Sequence, residues 1–534
     1  MNIKTPSPLN SQQQAVADWV ATGTGSLNLV ARAGTGKTYA LLHAVVRTII
    51  ERDRPGEDIR LMAFNKAISD EIKAKVAVLA QGDPRWGDWK RLQVGTVHSF
   101  GFSAIRKVWP KVKVDEKKVL GLIDRHAERN PESLWATCSS ALARAVSLGK
   151  QSGCGILWSN RDAATWFELL EHHAVNDLAD GVTLDDLVPA AQQLIQESWA
   201  LDREVIDFDD MVTAPLTHKL RFWQADWVLV DEAQDTNAAR RALALAMLKP
   251  VTGRLIAVGD DRQAIYGFTG ADADALDLIK QELGSAALPL TVTYRCPKAV
   301  VREANRLVPD LVAHETAPEG VVRSMPLAVI PSNPNWLTIP WFVTEPPTPT
   351  SVVLCRNIKP LISQAYALLR GRVACRVEGR EIGTGLIKLA TRWKRVTGLA
   401  ALADRLEDHE AREVAKWQAK GREERAQAVE DQCQCLQELI RALQAEGKRD
   451  VADLKAFIDG LFGDTPAGAV PNCLTLSTIH KSKGREWDTV YLLDRAGTLP
   501  SKWARKPWQL RQEANLEYVA ITRAKRELVD LVVS

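Results

Sequence analysis

The stretch "LVARAGTGKTYALL", Leu29 to Leu42, constrains this chain more than any other. An apolar run leads into a glycine-rich turn that ends in Lys-Thr and opens an apolar helix, the order strand, loop, helix that cradles phosphates. "SLNLV", Ser26 to Val30, reads as a short buried strand. Thr38 to Ile50 reads as a helix with apolar residues at Leu41, Leu42, Val45, Val46, Ile49 and Ile50. Between them, Ala33, Gly34, Thr35, Gly36 and Lys37 form the turn. Gly34 and Gly36 let backbone N–H groups approach a β-phosphate, Lys37 reaches the β/γ oxygens, and the Thr38 hydroxyl is placed to ligand Mg²⁺. Ala31 stands where the strict phosphate-loop pattern has its first glycine. The strand–loop–helix order carries the reading without it.

A bound nucleotide needs a metal-holding acid on a neighbouring strand, and "DWVLVDEAQD" supplies one. Trp227 to Val230 is a continuous apolar run, the mark of a parallel strand buried on both faces, and Asp231 and Glu232 emerge at its end. Asp231 is the candidate metal ligand, and Glu232 the candidate group that orients or deprotonates the attacking water. Strands alternating with helices give an α/β fold class.

At 534 residues the chain is long enough for three or four units of ordinary size. No apolar run approaches the roughly 18 residues that span a membrane, and the start "MNIKTPSPLNSQQQ" has no apolar signal core. A cytoplasmic, nucleoid-associated protein with no membrane partner is therefore expected. Eight cysteines lie without zinc-type spacing, and Cys433 and Cys435, on an apparent helix, face about 200° apart, so idle or buried thiols are expected. A net charge of +3 requires any nucleic-acid surface to be a local patch.

"DEAQD" followed by "VGDDRQAIYGFTGAD" resembles a superfamily 1 helicase of the UvrD/Rep type. Further stretches match in that family's order: "LNSQQQAV" resembles the adenine-reading motif, "LMAFNKAISDEI" and "VGTVHSF" the DNA motifs of the first core, "VTYRCP" the fourth motif, "LSTIHKSKGREWDTVYLL" the fifth and "NLEYVAITRAK" the sixth. The resemblance runs from about Leu9 to Lys525. It implies two RecA-like P-loop NTPase cores, parallel sheets flanked by helices, each with a mainly helical insertion. The implied activity is a DNA-dependent ATPase that moves along single-stranded DNA from 3′ to 5′ and opens 3′-tailed duplex DNA, with ATP and Mg²⁺ as cofactors. A translocase or DNA-end sensor that does not unwind is the alternative.

Carried over residue by residue, the resemblance makes Gln12 or Gln13 the adenine reader and Tyr294 its stacking partner. Spacing to Ala15 favours Gln12, whereas spacing from Asn10 favours Gln13. Gln263 becomes the γ-phosphate sensor, Arg295 and Arg523 arginine fingers, and Glu486 the group that holds the ribose or neighbouring phosphate region. Fingers from the second core would make hydrolysis depend on cleft closure. Candidate DNA contacts are Phe64, Tyr266 and Phe268 for the bases, with Asn65, Lys66, His98, Arg356 and His480 toward the backbone. Departures are Thr269 where the family's third motif commonly has arginine, Asn515 in the sixth motif, and "AFNKA", one residue short; the last two traits are closer to the F-box DNA helicase branch.

The motif positions place a first core at 1–105 and 203–290 with an insertion at 106–202, and a second core at 291–390 and 470–534 with a short charged helical insertion at 391–469. The first insertion carries Trp109, Trp135, Trp158, Trp166 and Trp199, expected mostly as core. The second is expected as a solvated helical pair with a modest apolar seam of Leu406, Val414, Trp417, Val429, Leu436, Ile440 and Leu443, and a protein partner there is left open. "PSNPNWLTIPWFVTEPPTPT" reads as an irregular surface connection.

Overall fold

The computed structural model describes residues 8–533 apart from 52–57, 82, 84–88, 131, 174, 176–177, 180, 268–269, 271–273, 328–339, 372, 420–422, 463–472 and 503. The chain divides into two compact units, Met1–Thr291 and Val292–Ser534. The strands of the first are β1 (Leu27–Ala31), β2 (Ile59–Ala63), β3 (Leu92–Thr96), β4 (Lys113–Val114), β5 (Val205–Ile206), β6 (Trp227–Val230), β7 (Arg254–Gly259) and β8 (Ala286–Leu290). Six of them form one sheet in the order β3-β2-β6-β7-β1-β8, with every neighbour parallel. Every residue of β2 and β6 is buried, as expected of strands covered on both faces.

The first strand lies one residue later than its sequence pattern suggests. The helix after the loop is continuous but not regular: it opens as Lys37–Tyr39, widens to a π-helix over Ala40–Val46 and returns to α-helix over Arg47–Glu51. Its polar residues fall mainly in one row, with Tyr39 stacked on His43 at 4.1 Å and Arg47 paired with Glu51 at 2.8 Å, and the other faces are apolar. Leu41, Leu42, Val45 and Val46 join one core with Leu27 and Leu29 of the sheet and Val16 and Val20 of the helix Ser11–Thr22.

The first insertion leaves and re-enters through β4 and β5, which pair in parallel and form its neck. Its helices Lys118–Ala127, Ser139–Gln151, Ala163–His172 and Leu184–Leu201 close a separate core around Trp166, which is fully buried; Trp135, Trp158 and Trp199 pack on that core from its edge. Trp109 packs instead on a small cluster at the neck with Ile105 and Ile206. Beside the neck lies a buried charge network. Lys118 Nζ reaches Asp202 Oδ1 at 2.6 Å and Asp210 Oδ2 at 2.7 Å; Lys150 Nζ reaches Asp207 Oδ2 at 2.7 Å and Asp210 Oδ1 at 2.6 Å. Burial disfavours the charge on Lys150, yet Asp210 and Asp207 hold its pKa above the usual lysine value.

In the second unit, β9 (Val292–Thr293) pairs with β10 (Val312–Ala313), and the main sheet comprises β11 (Val321–Leu327), β12 (Ser351–Cys355), β13 (Cys375–Val377), β14 (Leu474–Thr478), β15 (Trp487–Leu493) and β16 (Ala524–Val533). Its order is β11-β16-β15-β12-β14-β13, again parallel throughout. The second insertion corrects the expectation of a merely solvated pair. Leu406, Leu436, Ile440 and Leu443 are buried in one continuous core with Val353 and Leu476 of the sheet. Val414 and Trp417, farther from that base, are only partly buried. The helix Glu423–Ala445 is covered from two sides: Tyr366 Oη donates to Ala442 O at 3.0 Å, and Gln434 Nε2 to Glu410 Oε1 at 2.9 Å. Cys433 and Cys435 are therefore both buried although they point apart. The proline-rich stretch is likewise not all surface. Residues 331–339 lie outside the described residues, but Trp341 and Phe342 of the short helix Trp341–Thr344 are buried in the same core.

Among the described residues no helix is long and apolar enough to cross a membrane. The neck network gives a stability test. Lys150→Met leaves Asp207 and Asp210 short of a buried countercharge and should destabilise the chain by about 3–5 kcal/mol in denaturant titration. A loss below about 1 kcal/mol would show that the network is dispensable.

Candidate functional site

The parallel first sheet brings distant segments to one edge, because the carboxyl ends of β1, β2, β3, β6 and β7 all point the same way. After β1 the chain turns through Gly34 and Gly36, with φ of 72° and 78°. Both sit in the left-handed region that glycine adopts without cost, which turns successive N–H groups toward one point. Thr35 braces the turn: its N–H and hydroxyl both donate to Arg32 O, at 3.3 and 2.8 Å. Ala33 is fully buried, and Lys37 and Thr38 open the helix.

The two candidate glutamines have different environments. Gln12 is fastened to the residue after β8: its Nε2 donates to Thr291 Oγ1 at 2.9 Å and its Oε1 accepts from Thr291 N at 2.8 Å. Gln13 is buried, closes a capping box with Asn10, and lies against the loop, where a Cβ at Gly36 would stand 3.5 Å from its Nε2.

From β6, Asp231 and Glu232 arrive opposite the loop. Glu232 adopts φ of 51°, a strained conformation for a non-glycine residue and a frequent companion of functional sites. Lys37 Nζ stands 2.8 Å from Glu232 Oε1 and 2.9 Å from its Oε2. Burial works against the charge on Lys37, but Glu232, Asp260 and Asp231 hold its pKa above the ordinary value. Burial and the neighbouring Glu232 push the Asp231 carboxyl up to about 7. Three carboxylates, those of Asp231, Glu232 and Asp260, thus face two cations, Lys37 and Arg32. This excess of negative charge around an anion-binding loop suits a divalent cation held by Asp231 and the Thr38 hydroxyl.

Sequence reasoning missed the parts that hold these groups. Gln234, the glutamine of "DEAQD", donates from Nε2 to Glu232 Oε2 and accepts the N–H of Asp260 on Oε1 at 3.0 Å. Asp260 is fully buried and receives Gln263 Nε2 at 2.7 Å and Arg32 Nη1 at 3.0 Å. The only sequence signal was the placement of these residues inside two recognised motifs.

At the β2 and β3 side of the same edge, Phe64 and Tyr266 stack with centroids 5.8 Å apart and planes at 12°. A base inserted between two rings needs about 7 Å, twice the roughly 3.4 Å stacking repeat, so a base must use an outer face or spread this pair. Arg240 lies over Phe64 at 5.7 Å, and Phe208, half exposed, meets His98 edge-on at 6.4 Å; neither residue was singled out from sequence. Asn65 caps the helix Lys66–Gln81, its Oδ1 accepting Ile68 N at 2.9 Å, while Lys66 is exposed. Burial and then Arg240 press the His98 pKa down to about 4, so His98 is neutral at pH 7 and offers a hydrogen bond rather than a charge. Phe268 and Thr269 lie outside the described residues.

The second unit separates its candidates between opposite edges of its own sheet. At the amino ends of β15 and β16, Arg295 Nε donates to Glu486 Oε2 at 2.6 Å, and Arg523 is buried with Nε on Val519 O at 2.9 Å and Nη1 on Arg485 O at 3.1 Å. Tyr294 is 49% exposed and rests on His314 at 4.7 Å, leaving ring surface for a planar ligand. At the carboxyl ends of β12 and β14 stand Arg356 and His480. Arg356 grips buried Glu513 through Nε at 3.1 Å and Nη2 at 2.8 Å, so its charge already has a partner. Burial and Arg356 lower the His480 pKa to about 3.

Gly259 is the test of the Gln234 bridge. A Cβ there would lie 2.4 Å from Gln234 Oε1 and 3.1 Å from its backbone N. Gly259→Ala should displace the amide that steadies Glu232 and lower ATP turnover by about 10²-fold, with nucleotide binding retained. Wild-type turnover in this variant would remove Gln234 from the site.

Comparison with known proteins matches this geometry. Residues 9–284 fit the UvrD/REP helicase N-terminal domain, and residues 388–532 the UvrD-like helicase C-terminal domain. The chain is 27% identical to the ATP-dependent DNA helicase PcrA of Bacillus subtilis over 57% of its own length and 39% of PcrA, and 29% identical to the ATP-dependent DNA helicase SRS2 of Saccharomyces cerevisiae over 50% of its length and 24% of SRS2. With the ATP-dependent DNA helicase UvrD2 of Mycobacterium tuberculosis, identity is 25% over 97% of this chain and 78% of the relative. Matches to PcrA and SRS2 thus cover less than half of those proteins. With the N-terminal domain match spanning more than half of its residues, the chain belongs to the UvrD/Rep helicase family.

Proposed function

We propose that this protein is an ATP-dependent, 3′-to-5′ single-stranded DNA translocase that opens 3′-tailed duplex DNA. One observation carries the reading: a phosphate loop with Lys37 on a catalytic-type acid pair shares a sheet edge with the stacked aromatics Phe64 and Tyr266. Nucleotide chemistry and a surface suited to bases are thereby fixed to the same rigid strands. The family's named relatives, all ATP-dependent DNA helicases, support the same conclusion.

In this reading the Gly34–Gly36 turn and Lys37 bind the phosphates, and Gln13, buried against the loop, is the better placed adenine reader. Mg²⁺, when bound by Thr38 and Asp231, neutralises charge on the phosphate oxygens. Lys37 exchanges the Glu232 carboxylate for phosphate, which leaves Glu232, still held by Gln234, to orient and deprotonate water. Gln263 senses the γ-phosphate. Arg295 and Arg523 supply the positive charge needed in the transition state when the two units close, with Tyr294 stacking on adenine and Glu486 near the ribose. Strand movement follows from repeated closing and opening. On the DNA side, Phe64 and Tyr266 meet bases, Lys66 meets phosphate, and Asn65, His98 and His480 contribute neutral hydrogen bonds. Arg356 must share itself with Glu513 to contribute.

The purified chain should hydrolyse ATP slowly alone and much faster with single-stranded DNA than with duplex DNA or RNA, and should displace the strand of a 3′-tailed but not a 5′-tailed duplex. Stimulation without displacement would mark a translocase that does not unwind. Equal rates with and without single-stranded DNA would contradict the proposal.

A further inference from the structure

The phosphate loop carries a side chain that the mechanism above does not use. Arg32 follows β1 directly, and only about a tenth of its side chain is exposed. Its Nη1 lies 3.0 Å from Asp260 Oδ1 and 2.5 Å from Asp261 Oδ1, the two acids that follow β7. Its carbonyl is the acceptor for both the N–H and the hydroxyl of Thr35. One residue therefore binds the loop through its backbone and the β7 turn through its guanidinium.

These contacts close a circuit. It runs from Lys37 to Glu232, from Glu232 to Gln234, from Gln234 to Asp260, and from Asp260 back to Arg32 on the loop where it began. Gln263 hangs on this circuit through Asp260, and three residues beyond Gln263 stands Tyr266, which stacks on Phe64. Both carboxylates meet the same guanidinium nitrogen, Nη1, and the planar group fixes the directions in which that nitrogen presents its N–H bonds, which a freely rotating ammonium does not.

We propose that Arg32 is a positioning residue that couples the phosphate loop to the base-stacking surface. It holds Asp260 and Asp261 so that Gln263 and Tyr266 keep one register relative to the loop; a change of loop contacts on nucleotide turnover is then transmitted to the aromatic pair. The inference rests on the ATP-dependent DNA reading above.

The test compares ATP turnover of the full chain with and without single-stranded DNA. Arg32→Gln should lower the ratio of stimulated to unstimulated turnover by about tenfold, because the two acids lose their common partner. Arg32→Lys, which keeps the charge but not the planar, fixed donor geometry, should recover part of that ratio. A role confined to stability would lower the melting temperature and leave the ratio intact, and that result overturns the inference. If Arg32→Gln does not fold, Asp261→Asn carries the test, since Asp261 is 41% exposed and also receives Arg262; its ratio should fall in the same direction, and an unchanged ratio is again fatal. Absence of any stimulation in the unaltered chain would defeat the functional reading itself, and this inference with it.

Discussion

The part-buried contact between Lys37 and Glu232 is the interaction on which the rest of the first unit's site depends. A lysine and a glutamate largely withdrawn from water, with 13% and 19% of their side chains exposed, hold each other at 2.8 Å while the surrounding polar groups fix both. Gln234 fixes the acid, the loop fixes the base, and Asp231 and Asp260 add the negative field that keeps Lys37 charged. Burial, and then the neighbouring Glu232, drive Asp231 toward neutrality. In the proposed reading, a phosphate-bound Mg²⁺ held by Thr38 and Asp231 would offset the excess negative charge there.

Parallel strand order turns that local contact into a functional edge. The loop, the acid pair and the β7 turn come from segments up to 230 residues apart in sequence, yet each follows the carboxyl end of a strand in one sheet. In the second unit the same geometry has a different outcome. Arg295, Glu486 and Arg523 gather at the amino ends of β15 and β16, whereas Arg356 and His480 follow the carboxyl ends of β12 and β14. Groups assigned to nucleotide and to DNA are thus segregated across that sheet, while in the first unit they share an edge.

Local chemistry was legible in the sequence wherever backbone geometry decides it. Glycines at 34 and 36 and the apolar run before Asp231 are readable because each residue type serves its own position, whereas Phe64 was a candidate only through the family resemblance. The supporting contacts were not. Gln234, Arg240 and Arg32 act through partners between 2 and 229 positions away, and no periodicity announces a hydrogen bond of that kind. The Lys118 and Lys150 network escaped for the same reason, since isolated lysines and aspartates read as surface. In the second insertion, charge density concealed a buried base: the polar pattern describes the outer face of both helices, while Leu406, Leu436 and Ile440 belong to the core of their unit.

The most direct test of the central claim is a paired measurement of nucleotide binding and turnover in Glu232→Gln. Glutamine keeps the shape and the hydrogen bond to Gln234 but removes both the negative charge opposite Lys37 and the basic oxygen. The account predicts that Glu232→Gln binds Mg-ATP at least as well as the unaltered chain and hydrolyses it about 10²- to 10⁴-fold more slowly, the range ascribed to general acid–base catalysis. Turnover at the unaltered rate would contradict it, because the acid held by Lys37 and Gln234 would then not be the one that activates water.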